Sequence, residues 1–184
     1  MVCEFSNGHC QSCMIINRQD KITVDIRAMR EFVGRLRKFL RLGRRDFNVC
    51  LVGDREMATL NTAYRGHAGA TDVLSFAWQT ESERAGQSAV KVSPKLPARH
   101  KVPRRKAGAS ESGFERSEFS NFLGDIVISA ETAKRNARAE GHSTAREIRW
   151  LILHGALHLL GHDHENDHGE MTALEHSVRA RLKI

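Results

Sequence analysis

Long apolar runs are absent from this chain of 184 residues. No stretch reaches the roughly 18 consecutive apolar residues of a membrane-spanning helix, so we expect no membrane partner. Residues 1–13 carry polar side chains throughout and lack the apolar segment of a secretory signal. We therefore expect a cytoplasmic protein. Its net charge of +7 favours anionic partners such as nucleic acid.

Cysteine and proline are scarce, and each is concentrated in one segment. Cys3, Cys10 and Cys13 lie in residues 1–13, but the second pair of ligands that a structural zinc site needs is missing there. We predict that 1–13 is a loose N-terminal tail. All three prolines lie in residues 79–120, a basic segment without periodic apolar residues. We predict a disordered insertion at 79–120 within a single domain of residues 14–184. Such a segment either contacts phosphates or has no role.

Apolar periodicity places the remaining elements. Helical spacing predicts a helix capped by Asp25 and running to about Leu42. A short strand from Met14 and a second strand at Ile22–Ile26 are expected before it. Asp54 is expected to cap a second helix. Further strands are predicted at Phe47–Val52, Val73–Trp78 and Leu123–Ser129, and a helix at Ala130–Glu140.

The most informative segment contains three regularly spaced histidines. Thr144 and Glu147 have the spacing of a capping box, which predicts the start of an apolar helix just upstream. On that helix His154 and His158 share one face, with Cβ atoms roughly 6 Å apart. Because Gly161 ends the helix and lets the chain turn back, His164 can join them as a third ligand.

Three neutral imidazoles are typical ligands of one Zn²⁺ ion, although nickel or copper would also suit them. A fourth position open to water makes such a site catalytic, because zinc lowers the pKa of that water toward ~7. We therefore predict a hydrolase. The spacing also occurs in metzincin proteases, which carry a glutamate base directly after the first histidine. Gly155 occupies that position here, so a peptidase would need a different base.

Four separated segments resemble the YbeY endoribonuclease family. They are LNTAYRG at 60–66, TDVLSF at 71–76, GDIVIS at 124–129 and the histidine segment at 154–164. Their order places most of residues 14–184 in register with the family. The sequence departs from the family in its long link at 79–120, its cysteine-containing tail and His162, where the family often has tyrosine.

The resemblance implies an α+β fold, with a mixed sheet of about four strands packed around a central metal-binding helix and several surrounding helices. It also implies a metal-dependent, single-strand-specific endoribonuclease. The family acts in ribosomal RNA maturation, especially at the 3′ end of the small-subunit RNA, and in ribosome quality control. RNA and the small ribosomal subunit are the implied partners, and 14–184 would be the catalytic domain.

The resemblance further marks Arg65 as a functional arginine. A guanidinium can hold phosphoryl oxygens through two parallel hydrogen bonds while negative charge develops on them. The alternative for Arg65 is a structural salt bridge to Asp72. Two other functions also remain open. One is a zinc metallopeptidase with a non-standard general base, and the other is an RNA- or ribosome-binding factor whose structural metal has a fourth protein ligand.

Overall fold

The structure is a computed structural model that describes residues 14–78, 121–162 and 169–184. The predicted tail at 1–13, the predicted insertion at 79–120 and His164 lie outside the described residues. No helix among the described residues is long and apolar enough to cross a membrane. The described elements are β1 (Ile15–Asn17), α1 (Ile26–Phe39), β2 (Asp46–Val52), α2 (Asp54–Arg65), β3 (Val73–Ala77), β4 (Phe122–Ser129), α3 (Ala130–Ala139), α4 (Thr144–Leu159) and α5 (Glu170–Leu182).

The strands form one mixed sheet in the order β1-β2-β4-β3. Strands β1, β2 and β4 are parallel, and β3 is antiparallel to β4. Val49 of β2 lies between Ile15 of β1 and Ile126 of β4, and Ser75 of β3 pairs with Ile126. The predicted α+β class with a mixed sheet of four strands is confirmed.

Different helices cover the two faces of the sheet. Successive side chains of a strand point to opposite faces. Ile126 and Ile128 of β4 lie in the larger core, which α1, α4 and α5 complete. Val127 lies between them in sequence and belongs to a smaller core with Met57 of α2. Helix α2 therefore packs on the face of the sheet opposite to α4, and α4 is the central helix of the larger core.

Helix α1 forms as the sequence predicts. The Asp25 carboxylate accepts a hydrogen bond from the backbone N–H of Ala28 at 2.9 Å and caps the helix. Met29, Phe32 and Leu36 are buried on one face, at the predicted helical spacing. The helix ends at Phe39, slightly before the predicted end.

The strand predicted at Ile22–Ile26 is wrong. The Gln19 side chain accepts from the backbone N–H of Ile22 at 2.9 Å and donates to the carbonyl of Ile22 at 3.0 Å. Because a side-chain amide bonds both backbone groups, Ile22 forms a turn instead of entering the sheet. Val24, in irregular chain, and Ile26, in the first turn of α1, pack on the larger core.

Asp54 is not the N-cap of α2 as predicted, since Gly53 occupies that position. The Asp54 carboxylate instead accepts hydrogen bonds from Ser129 at 2.5 Å, Thr132 at 2.7 Å and Arg135 at 2.6 Å. Burial raises the pKa of Asp54, but these hydrogen bonds and the Arg135 charge outweigh it and lower the pKa to about 2. Asp54 therefore connects α2 to α3.

The N-terminus of α2 is bonded by a carboxylate from another element. Glu131 of α3 accepts from the backbone N–H of Asp54 at 2.8 Å through Oε2. Its other oxygen, Oε1, accepts from Lys21 Nζ at 2.9 Å. Because Glu131 supplies the acceptor that an N-cap side chain normally provides, α2 begins without a cap of its own.

Candidate metal centre

Helix α4 presents the predicted histidines, and it begins one residue earlier than expected. The hydroxyl of Ser143, not Thr144, caps it by accepting from the backbone N–H of Arg146 at 3.2 Å. Glu147 is therefore one residue too late to complete a capping box. Its side chain is buried, with Oε2 3.1 Å from Nε2 of His142, and burial raises the pKa of this carboxyl.

His154 and His158 form a close pair on α4. Their ring centroids are 4.7 Å apart, and the rings are inclined at 78°. The two Nε2 atoms lie 3.1 Å apart. Two nitrogens bound to one tetrahedral zinc ion at ordinary bond lengths lie about 3.3 Å apart. The pair therefore fits two ligand positions of a single ion, and the interpretation of His154 and His158 as neighbours on one helix face is correct.

The third predicted ligand, His164, lies outside the described residues, as does Asp163. Within the part of the chain that the structure describes, no three His, Cys, Asp or Glu side chains are grouped to hold a metal. His162 is described and half-buried, and its backbone N–H bonds the carbonyl of Leu157 at 3.1 Å at the end of α4. A three-histidine site thus depends on His164 and remains a prediction.

Gly155, directly after the first histidine, lies close against the sheet. A Cβ atom added at Gly155 would lie 2.7 Å from Cγ2 of Ile126 and 2.9 Å from Oγ of Ser75. Both distances are well below ordinary van der Waals contact, and Ile126 is fully buried. A glutamate at this position, as in the metzincins, would require the helix or the sheet to move.

A carboxylate from α5 lies behind His154. Oε1 of Glu175 is 3.7 Å from Nδ1 of His154, and Nη2 of Arg179 lies 2.7 Å from the same oxygen. Burial raises the pKa of Glu175, but His154 and Arg179 outweigh burial and hold the pKa below its ordinary value. Glu175 is therefore a carboxylate anion next to the first histidine.

Trp150 of α4 packs against Arg179, the partner of Glu175. The Arg179 guanidinium lies 4.1 Å from the centroid of the Trp150 ring, a cation–π distance. Trp150, His154, Glu175 and Arg179 line a cavity of about 190 Å³ that also reaches Asp72. Glu175, Arg179 and Trp150 could not be predicted from the sequence, because their contact depends on how α5 packs against α4.

Arg65 is the last residue of α2, and its side chain is exposed. The preceding Tyr64 packs edge-on against Phe76 of β3, with ring centroids 4.8 Å apart. The expected alternative, a salt bridge to Asp72, is not among the ion pairs of the described residues, and the Asp72 carboxylate bonds Thr71, Val73 and Asn136 instead. Arg65 does not line the cavity that contains His154 and Glu175.

A larger cavity, of about 410 Å³, lies elsewhere, at the carboxyl ends of the parallel strands. Its lining includes Arg18, Lys21, Glu56 and Glu131, which form the pairs Arg18–Glu56 at 3.1 Å and Lys21–Glu131 at 2.9 Å. Neither histidine of the pair lines this cavity. We assign the candidate site to the smaller cavity, because only that one contains a predicted metal ligand.

Comparison with known proteins identifies the family of the chain. Residues 14–183 match the family model described as endoribonuclease YbeY. This chain belongs to the YbeY family. An endoribonuclease YbeY of Syntrophomonas wolfei is 33% identical over 178 residues, which cover 93% of this chain and 97% of the relative. An endoribonuclease YbeY of Nautilia profundicola is 36% identical over 140 residues, covering 76% of this chain and 74% of the relative.

A solved structure has a fold similar to that of this chain. The solution structure of a Thermotoga maritima protein aligns with a TM-score of 0.53 and covers 92% of this chain and 89% of that protein. Its 22% sequence identity supports the fold alone. The YbeY family match includes α4 and α5 in full, so the histidine pair and Glu175 both lie inside the matched region.

Proposed function

We propose that this chain is a zinc-dependent, single-strand-specific endoribonuclease of ribosomal RNA maturation. Its substrate would be the 3′ region of the small-subunit RNA, with a further role in ribosome quality control. The small ribosomal subunit would be its partner and the cytoplasm its location. Membership of a family whose curated members are named endoribonucleases supports the nuclease activity.

The 3.1 Å distance between the Nε2 atoms of His154 and His158 is the observation that carries the metal site. Two unprotonated ring nitrogens repel each other at this distance, so either a proton or a cation lies between them. A proton would make a single hydrogen bond, whereas a metal ion would also recruit His164. A bound zinc ion would supply a Lewis acid and a water of lowered pKa at neutral pH.

The protein's own residues would hold and orient the reacting groups. His154, His158 and His164 would fix the ion at one end of α4. Arg65 would bind phosphoryl oxygens by its two parallel N–H groups as they gain charge. Its exposed position at the end of α2 leaves the guanidinium accessible to an RNA phosphate. The basic segment 79–120 would add contacts to phosphates that do not depend on base sequence.

The competing functions have less support. A peptidase with the metzincin arrangement needs a glutamate at position 155, where even a Cβ atom would overlap Ile126 and Ser75. A binding factor with a structural metal needs four protein ligands. Such a factor would bind RNA without cleaving it, so the cleavage assay distinguishes it from the enzyme.

RNA cleavage by the purified chain tests the proposal. A single-stranded RNA carrying the 3′ end of small-subunit ribosomal RNA is incubated with the protein, with and without a chelator, and casein is the control substrate. We expect RNA cleavage that the chelator stops and added zinc restores, with casein left intact. Casein cleavage without RNA cleavage would overturn the proposal in favour of the peptidase.

A matched pair of histidine variants links cleavage to the metal. His154→Ala should lose bound zinc and cleavage while keeping the helical circular dichroism spectrum. His176→Ala removes an exposed histidine of α5 and should retain both zinc and cleavage. If His154→Ala kept its zinc and its activity, the metal site would lie elsewhere in the chain.

A further inference from the structure

Three side chains form a line of contacts behind His154 that ligation of a metal does not itself require. The Trp150 ring contacts Arg179, with the guanidinium carbon 4.1 Å from the ring centroid. Arg179 bonds Oε1 of Glu175 at 2.7 Å. The same oxygen lies 3.7 Å from Nδ1 of His154. The line thus begins on α4, crosses to α5 and returns to the first histidine on α4.

Arg179 and Trp150 fix the place of the Glu175 carboxylate. Glu175 and Arg179 are four residues apart on α5, with the acid first, which is the favourable order for such a pair. The Glu175 side chain is 12% exposed, so water screens its charge only weakly. Its carboxylate is therefore an anion placed next to one ring nitrogen of His154.

We propose that Glu175 is a positioning residue that keeps the His154 proton on Nδ1 and so leaves Nε2 unprotonated toward His158. The proposal rests on the proposed metal site and extends it to a residue that holds no metal itself. A carboxylate stabilises a proton on the nitrogen that it faces and so selects one of the two neutral tautomers. At 3.7 Å the contact is longer than a hydrogen bond, so the anion acts through its charge in this state.

A purely structural role for Glu175 makes different predictions. The Glu175–Arg179 pair would then only attach α5 to α4, and its loss would lower stability without changing the tautomer of His154 or the zinc affinity. A positioning role requires both of these to change. The tautomer is also measurable in metal-free protein, where it does not depend on whether the chain cleaves RNA.

The test compares Glu175→Gln and Glu175→Ala with Glu170→Gln, an exposed acid on the same helix. Long-range ¹H–¹⁵N spectra of the metal-free proteins report which nitrogen of His154 carries the proton. Competition with a chromophoric chelator reports zinc affinity. We expect Nδ1–H in the wild type and in Glu170→Gln, mainly Nε2–H in Glu175→Ala, and a 10- to 100-fold loss of zinc affinity in Glu175→Ala.

Glu175→Gln keeps the shape of the side chain and serves if Glu175→Ala does not fold. It should lose about tenfold in zinc affinity, because an amide oxygen can still accept from Nδ1–H but carries no charge. An unchanged tautomer, together with zinc affinities within twofold of Glu170→Gln, would overturn the proposal. Absence of RNA cleavage by a wild type that binds zinc would count against the proposed function and leave the role of Glu175 standing.

Discussion

Replacing Gly155 with alanine tests how closely α4 lies on the sheet. The added Cβ atom would lie 2.7 Å from Ile126 Cγ2 and 2.9 Å from Ser75 Oγ. Gly34 in α1 provides a matched control, because it also lies inside a helix and a Cβ added there would meet no heavy atom within 4 Å. The same substitution at the two positions therefore differs in the overlap alone.

The expected changes have opposite signs. Alanine in place of a helical glycine stabilises a helix by about 1 kcal/mol, and Gly34→Ala should gain most of that. Gly155→Ala gains the same helix stabilisation, but its Cβ atom overpacks the core, which typically costs about 1–3 kcal/mol. Since Ile126 is fully buried and cannot turn away, we take the upper part of that range. Gly155→Ala should therefore lose about 1–2 kcal/mol in its free energy of unfolding.

Urea denaturation followed by circular dichroism measures both variants. The free energies of unfolding of the two should differ by roughly 2–3 kcal/mol, with Gly34→Ala the more stable. In an Ile126→Ala background only the overlap with Ser75 Oγ remains. The cost of that overlap should roughly cancel the helix gain, so Gly155→Ala should then be close to neutral. The reasoning fails if Gly155→Ala is as stabilising as Gly34→Ala, because α4 would then lie farther from β3 and β4.

Two further predictions concern Asp54 and Arg65. Because the folded pKa of Asp54 is about 2, below its ordinary 3.8, its contribution to stability is present at neutral pH and is lost as the pH falls from about 4 through 2. Asp54→Asn should lower the free energy of unfolding by about 1–2 kcal/mol at pH 7, and denaturation at a series of pH values should show this difference disappearing near pH 2. Arg65→Ala should keep zinc and fold but lose most RNA cleavage, and Arg65→Lys should recover only part of it, since an ammonium cannot make the paired hydrogen bonds. A fully active Arg65→Ala protein, measured in the cleavage assay with bound zinc as control, would remove Arg65 from the mechanism.

Features determined by neighbouring residues could be predicted from the sequence. Asp25 caps α1 because its carboxylate needs only the backbone N–H three residues later. His154 and His158 share a face because four residues make about one helical turn. The strands β2 and β4 also follow directly from their runs of β-branched and apolar residues. In each case the interacting groups are within a few positions of each other along the chain.

Features that depend on distant contacts could not be predicted. The local sequence predicts that the Asp54 carboxylate caps α2. Its actual partner, Arg135, is 81 residues away in sequence. The strand predicted at Ile22–Ile26 does not form, because the Gln19 side chain bonds the backbone of Ile22. Nothing in the local sequence pattern distinguishes this glutamine from an exposed one. Glu175 belongs to the same class, because only the packing of α5 against α4 brings it to His154.

The carboxylate that bonds the start of α2 also has a consequence for where anions can bind. Ligands of open α/β sheets commonly bind beyond the carboxyl ends of the parallel strands, where helix N-termini attract phosphates. Here Glu131 occupies the N–H of Asp54 and neutralises Lys21. A phosphate arriving there would have to displace a competitor tethered to the same molecule, whose effective concentration far exceeds that of any free anion. We therefore expect the start of α2 to bind free phosphate weakly.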